Sequence, residues 1–494
     1  MRYATNNSGE RSEVRAAALA AAALTLASCA VGPDFHQPKP PDTQEYLHSR
    51  AQPAQGAQAA QAEARDVQHI AVGAQIAGDW WQLFHSPALD EVVREAITDS
   101  PTLAAANSTL AEAREEVVVT QAGLLPRLSA NADAQHSGEG GAGALDGGSS
   151  NLYSVGLSAS YSVDVFGGTR RAVEQQRALA AMQRDQLAAA YLTLTGEVVN
   201  EALTIVSTRL QISTTEELIA SDRKNLALTQ REFDVGVATR ADVLTADSQL
   251  AADLTQLPTL RKQLDQAYDA LAVLAGRTPA EWKTYAFDIR EFTLPRQIPL
   301  SLPSELVHQR PDILAAEAQL HAASAAVGVA VAQEYPDITL SASLTRSALQ
   351  AAGLFHQFDT LWSAGGALAE PIFEGGALRA QVRAARDAFK AQASTYRSVV
   401  LSALGQVADD LWALQYDAEL LTVDRHSVDV ASEALRLQQT SYQVGTTNVI
   451  NLIDAERTYA QARLGFATAQ VQQFEDTAGL LVAIGGGWWK DGLN

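Results

Sequence analysis

Between residues 376 and 485 the apolar side chains fall on two long helical stripes separated by a tight turn. The first stripe runs Val400, Leu404, Val407, Leu411, Leu414, Ala418 and Leu421. Its steps of four and three lay one narrow seam along a helix. The turn is Tyr442-Gln443-Val444-Gly445-Thr446-Thr447-Asn448. Gly445 can take the left-handed conformation that ends a helix, and Asn448 can cap the next one. A helix from 377 to about 443 would be roughly 100 Å long at 1.5 Å per residue. No compact globular domain has room for such a hairpin, so its seam must bury against copies of itself.

One copy lies in the same chain. Phe233-Asp234-Val235-Gly236 with Asp242-Val243-Leu244-Thr245-Ala246 recurs as Tyr442-Gln443-Val444-Gly445 with Asn451-Leu452-Ile453-Asp454-Ala455. Pro101 matches Pro311, Pro126 matches Pro336, Gly168 matches Gly376 and Leu271 matches Leu480, all at offsets of 208 to 210. An internal duplication of this length dictates the architecture. Thr239 and Asp242 have capping-box spacing at the first turn, and Pro258 is expected to break or kink the returning helix.

Ahead of each hairpin the period changes from 3.6 to 2. Tyr153, Val155, Leu157, Ala159, Tyr161, Val163 and Val165 alternate with Ser154, Gly156, Ser158, Ser160, Ser162 and Asp164. Ile338, Leu340, Ala342 and Leu344 alternate with Asp337, Thr339, Ser341 and Ser343. One face is apolar and the other carries hydroxyls, as a membrane barrel strand requires. The rival is a four-stranded sheet on a soluble core, but nothing else in the chain offers to cover it. The expected layout is a signal peptide over 1–28, an N-terminal tether over 29–78, a first repeat over 79–277, an irregular crossover over 278–302, a second repeat over 303–487 and a tail over 488–494. Strands are expected at about 127–136, 152–166, 337–346 and 360–373. The fold class is mostly α with a membrane β part. Hydrocarbon forbids an open sheet edge, so four strands per chain demand oligomerisation. Two chains would give eight strands and three would give twelve; dimer, trimer and tetramer all remain open.

Composition narrows the picture further. A formal net charge of -21 argues against a nucleic-acid partner. No run of about 20 uninterrupted apolar residues follows the N-terminus, so no helical membrane span is expected. The single cysteine excludes an intrachain disulfide. Arg2, Arg11 and Arg15 precede an apolar run that ends in Leu26-Ala27-Ser28-Cys29, which looks like a bacterial lipobox. Cys29 would then be acylated and hold the N-terminus at a bilayer surface. Ala30 after it implies sorting to the outer membrane.

Catalysis finds little support. HExxH, paired CxxC, P-loop and GxSxG patterns are absent. Gly138, Gly140 and Gly143 fit G-x-G-x-x-G only inside a Gly/Ser-rich loop, and the nine histidines show no metal-ligand spacing. No cofactor and no metal is therefore expected beyond the lipid on Cys29. A structural coiled-coil lipoprotein would explain the seams but would leave the alternating strands without purpose.

Several segments together resemble one family. They are Val31-Gly32-Pro33-Asp34-Phe35, Trp80-Trp81-Gln82-Leu83-Phe84, Leu302-Pro303-Ser304-Glu305-Leu306, Arg310-Pro311-Asp312-Ile313, Ala270-Leu271-Ala272-Val273-Leu274-Ala275-Gly276, Asn451-Leu452-Ile453-Asp454-Ala455 and both Val-Gly turns. The chain resembles the outer membrane factors, the TolC-like and OprM-like lipoprotein channels of tripartite efflux systems, including the NodT-type subunits. That resemblance implies a homotrimer, a 12-stranded barrel in the outer membrane and a periplasmic helical tunnel. The implied partners are a periplasmic adaptor, an inner-membrane RND-type transporter and outer membrane lipid. Small-molecule efflux is the implied activity, and the channel of a type I protein secretion system is the alternative. The hairpin tips would form the periplasmic entrance, with Gly236, Thr239, Arg240, Gly445, Thr447 and Asn448 contacting the adaptor. OprM-like members carry a gate acid where this chain has Thr447, so an acidic ring would fall to Asp242, Asp454 or Glu456.

Overall fold

The computed structural model describes residues 30–43, 45–47, 68–74, 76–138, 149–356 and 359–488. The signal peptide, Cys29, His48, Gly140 and Gly143 lie outside the described residues. In chain order the elements are β1 (His69–Val72), a 3-10 turn (Trp80–Phe84), α1 (Pro87–Asp99), α2 (Pro101–Ala122), β2 (Arg127–Gly138), β3 (Ser149–Ser162), α3 (Gly168–Asp234) and α4 (Arg240–Leu274). There follow β4 (Gln297–Leu300), α5 (Pro311–Ala332), β5 (Asp337–Ala348), β6 (Asp359–Ala369), α6 (Ala377–Gln443) and α7 (Val449–Ala483). The chain divides into two units, residues 1–38, 109–184 and 315–397 in one and residues 39–108, 185–314 and 398–494 in the other.

The first unit holds an antiparallel sheet of order β2-β3-β5-β6. Its register brings Ser129, Ser158, Ser343 and Ser363 into one row across all four strands. The adjacent row is Ala130, Leu157, Leu344 and Trp362. Neighbouring rows point to opposite faces, so one face is hydroxylic and the other apolar. Ser129 and Ser158 are hydrogen-bonded at 2.8 Å, and Ser343 and Ser363 at 2.9 Å. The apolar row is not covered by the chain, since Leu157 is 48 %, Leu344 49 % and Trp362 77 % exposed. Among the described residues β2 and β6 are each paired on one side only.

Two strand ends differ from the sequence expectation. β3 stops at Ser162 rather than near 166, because Asp164 turns to cap α3. Its carboxylate accepts the backbone N–H of Thr169 at 3.0 Å and of Arg170 at 2.9 Å. β6 stops at Ala369 rather than near 373; Pro371 has no N–H to give the ladder.

The Val-Gly-Pro-Asp-Phe segment docks in this unit. Val31 N–H donates to Phe166 O at 3.0 Å. The buried Arg171 donates to Val31 O at 3.1 Å, to Asp34 at 2.7 Å and to Glu174 at 2.7 Å. Phe35 stacks on His321 of α5 at 4.4 Å, and His321 pairs with Glu174 at 2.9 Å. Gly32 has φ +98°, and a Cβ there would lie 2.4 Å from Gly328 Cα. By length and composition α5 is long and apolar enough to cross a membrane. It is instead partly buried by packing, and Glu317 and His321 interrupt its apolar surface.

The second unit is built on an aromatic run. Trp80 and Phe84 are fully buried, and Phe84 lies 5.9 Å from Phe474, which lies 6.0 Å from Phe292. Arg310 of the Arg-Pro-Asp motif forks onto Asp312 and donates to Ala483 O at 2.7 Å, satisfying an end carbonyl of α7. The tether and crossover are not wholly irregular, because β1 and β4 form a parallel pair. Four residues each are too few for a visible period. α4 runs unbroken through Pro258. That proline is exposed, so water can satisfy the carbonyl its missing N–H leaves free.

In the second hairpin Val400, Val407, Leu411 and Leu414 are buried as the seam predicts. Ala418 is exposed, however, and Asp417 is buried in its place. Its carboxyl lies beside that of Asp476 of α7.

The docked segment can be tested through Gly32. Gly32→Ala adds left-handed strain of roughly 1–2 kcal/mol to the clash with Gly328. Limited proteolysis should then cut among residues 31–37 at least several-fold faster; unchanged protection would contradict this docking.

Candidate functional site

Each hairpin turns by the same device. Glu232 O accepts the N–H of Val237 at 2.8 Å, with Gly236 at φ +80°. Ser441 O accepts the N–H of Thr446 at 2.9 Å, with Gly445 at φ +76°. This is the glycine-terminated bond from the sixth residue back to the first, which closes a helix end. Both glycines are exposed, and a Cβ on either would meet nothing within 4 Å.

The returning helices are capped differently. Thr239 and Asp242 form a capping box: Asp242 N–H donates to Thr239 Oγ1 at 3.2 Å and Thr239 N–H to Asp242 Oδ2 at 2.8 Å. The Thr239 N–H first, and then the Thr239 hydroxyl, which donates to Asp242 Oδ2 at 2.7 Å, hold the Asp242 carboxyl below the usual carboxylate range. In the second turn Asn448 Oδ1 accepts Asn451 N–H at 3.0 Å, and Asn451 donates its side-chain amide to Thr447 Oγ1 at 3.0 Å. Arg240 is exposed beside the first turn.

The two hairpins pack on each other just behind the turns. Ala246, Val449 and Ile453 form a buried cluster with Leu226, Tyr442 and Ile450. Tyr442 Oη donates to Glu232 at 2.5 Å, and Asn225 donates to Glu456 at 2.5 Å. Arg457 donates to Asp253 at 3.2 Å, and Arg463 pairs with Glu217.

The three acids proposed from the sequence therefore stand in different places. Asp242 is engaged in a cap and Glu456 is tied to the other hairpin. Asp454 is exposed on a groove of about 280 Å³ with Ala431, Ala434, Gln438 and Asn451. The structure does not bring the three together.

Other acids escaped the sequence reading. Asp222 of α3 and Asp253 of α4 are 3 % and 1 % exposed. Burial first, then the hydrogen bond and charge of Asp253, push the Asp222 carboxyl up to about 7. A usable signal existed: Ile219, Asp222, Leu226 and Thr229 keep the seam spacing, so Asp222 occupies a position an apolar residue would normally take. No group of three or more metal-ligating side chains occurs among the described residues.

With this geometry in hand, the family can be fixed. The family model described as outer membrane efflux protein matches residues 92–277 and again 302–486. The chain belongs to the outer membrane efflux protein family. It is 32 % identical over 434 residues to the pyoverdine export outer membrane protein OpmQ of Pseudomonas aeruginosa, covering 86 % of this chain and 91 % of that one. It is 30 % identical to nodulation protein T of Rhizobium leguminosarum bv. viciae, covering 94 % and 92 %. The fold is similar to that of the outer-membrane channel OprN, with TM-score 0.82, 27 % identity and coverage of 93 % and 100 %. It is also similar to the open-state MtrE outer membrane channel of Neisseria gonorrhoeae, with TM-score 0.79, 25 % identity and coverage of 93 % and 99 %. Members of this outer membrane efflux family are channels rather than enzymes, and this one resides in the outer membrane.

The turns supply a direct check. Gly445→Val forces a β-branched residue into the left-handed region, at a cost of roughly 1–2 kcal/mol or more. Amides at the end of α6 and the start of α7 should exchange with deuterium faster by about tenfold, with the sheet unaffected. Wild-type exchange at these ends would show the turn does not need its glycine.

Proposed function

We propose that the chain is the outer membrane exit channel of a tripartite efflux system, in which three copies close one twelve-stranded barrel around a water-filled duct. The observation that carries this reading is the sheet itself. Among the described residues it has two unpaired edges, a hydroxyl row and an uncovered apolar row. An unpaired edge in hydrocarbon leaves backbone N–H and C=O groups with no partner, so further copies must supply the missing strands. The apolar row then faces lipid and the serine row faces the duct.

On this reading the hairpins of three copies enclose the periplasmic part of the duct. Their tips, with Gly236, Thr239, Arg240, Gly445, Thr447 and Asn448, meet a periplasmic adaptor that links the channel to an inner-membrane RND-type transporter. A lipid on Cys29 would anchor the segment that docks against Phe166 and Arg171. No cofactor and no catalytic group takes part, because passage down the duct is passive. The chemistry of the cargo is set where it is captured, at the transporter. Likeness to proteins named for pyoverdine export and for toluene and antibiotic efflux supports small-molecule cargo.

The two rows predict opposite outcomes for one substitution. Leu157→Arg puts a charge on the lipid face, at a cost of roughly 2–4 kcal/mol near mid-bilayer, and should abolish heat-resistant trimers in detergent. Ser158→Arg should assemble and conduct in a planar bilayer with its ion selectivity moved towards anions. A purified full-length protein that stays monomeric and gives no conductance would overturn the channel reading.

A further inference from the structure

Each hairpin brings buried carboxyls together between its own two helices. The carboxyl of Asp222 of α3 lies beside that of Asp253 of α4, and the carboxyl of Asp417 of α6 beside that of Asp476 of α7. The first pair sits where the two hairpins are joined. Asp253 accepts from Gln249 and Gln256 of its own helix at 3.1 Å and from Arg457 of α7 at 3.2 Å. Three residues along α3 from Asp222, Asn225 donates to Glu456 of α7.

The charge balance at this junction is uneven. The groups that act on Asp222 are Asp253 of α4, and Arg457 and Glu456 of α7. Arg457 is the one cation among them, and it is engaged by Asp253. Asp222 Oδ2 is buried and meets no hydrogen-bond donor of the protein. Two ionised carboxylates side by side in a buried seam repel each other, and one shared proton turns that repulsion into a hydrogen bond.

We propose that the Asp222–Asp253 pair is a proton-operated catch. With its proton in place it holds α3 against α4 and keeps Asp253 aimed at Arg457 of the second hairpin; without it the first hairpin loosens and releases its grip on the second. The consequence for passage at the tips rests on the channel reading above, whereas the catch itself is a matter of helix packing. The direction follows from linkage. The packed state raises the pKa of Asp222 above its value in water, so packing is favoured most at low pH. That advantage falls away as pH rises towards and through about 7. The group that acts on buried Asp417 is Asp476 of the same hairpin and no cation, so the second pair has no comparable tie to the first hairpin.

Hydrogen–deuterium exchange of the α4 amides between residues 246 and 257 reads the catch directly. The assembled full-length protein is compared with Asp222→Asn at the same pH, which cancels intrinsic exchange. The ratio of wild-type to variant exchange should rise by up to about tenfold per pH unit between about pH 5 and 7, then level off. A ratio independent of pH would overturn the catch. Arg457→Gln removes the cation that helps the pair lose its proton, so its own exchange should rise at higher pH than in the wild type. An unmoved midpoint would overturn the link to the second hairpin, and this variant decides the matter should Asp222→Asn fail to assemble. Asp417→Asn should leave the α4 profile as it is in the wild type; a lost pH dependence there would assign the effect to the wrong pair. Because exchange is read whether or not the protein conducts ions, failure of the catch and failure of the channel reading remain distinguishable.

Discussion

An unpaired strand edge is tolerable in water and very costly in hydrocarbon, and the sheet of this chain has two. β2 and β6 run 12 and 11 residues, so a whole row of N–H and C=O groups on each outer side has no partner strand among the described residues. In lipid each such group costs several kcal/mol, far more than the few kcal/mol by which a folded chain is stable. The side chains impose the same requirement from another direction. A serine row on one face and a Leu/Trp row on the other need two different media across a single sheet. Closure of several copies into a barrel satisfies both demands at once, with lipid outside and water within.

The helical part follows a different logic. Duplication gave both hairpins the same glycine-closed turn, but not the same chemistry. At an offset of 209 the position of Asp222 becomes Ala431 and that of Asp417 becomes Thr208, and all four are buried. Asp476 corresponds in the same way to Ala267, also buried. Each hairpin thus places its carboxyl pair where the other carries small or hydroxyl side chains. The two are alike as scaffolds and different as interfaces, and only the first pair reaches a cation on the opposite hairpin.

Much of this was legible because it is local. Gly236 and Gly445 announce helix ends through the conformation they alone take easily, and α6 spans the range its seam implies. The Thr239–Asp242 box is written in three residues of spacing. What was not legible depends on partners far away in sequence. β1 and β4 are four-residue strands more than 200 residues apart, too short to show a period and recognisable only by each other. The replacement of Ala418 by Asp417 in the seam is intelligible once Asp476 is seen across the hairpin, because a carboxyl is buried there by its partner rather than by its own polarity. Asp222 stood in plain view at a seam position, yet its meaning needs Asp253, 31 residues on, and Arg457, 235 residues on. The family resemblance located the tips, but it could not say that Asp242 would be engaged in a cap while Glu456 would be tied to Asn225.

Buried acids in a helical seam are a poor way to maximise stability. Replacing such polar groups with well-packed apolar residues is often neutral or stabilising, so their presence calls for a different account. A seam of apolar residues alone has one deep packing minimum. A seam that contains a carboxyl pair has two arrangements, with and without the shared proton, whose difference is a few kcal/mol at most and whose sign pH can influence. At such a junction, marginal packing lets modest binding free energy, or the loss of one proton, shift the population towards the loosened hairpin.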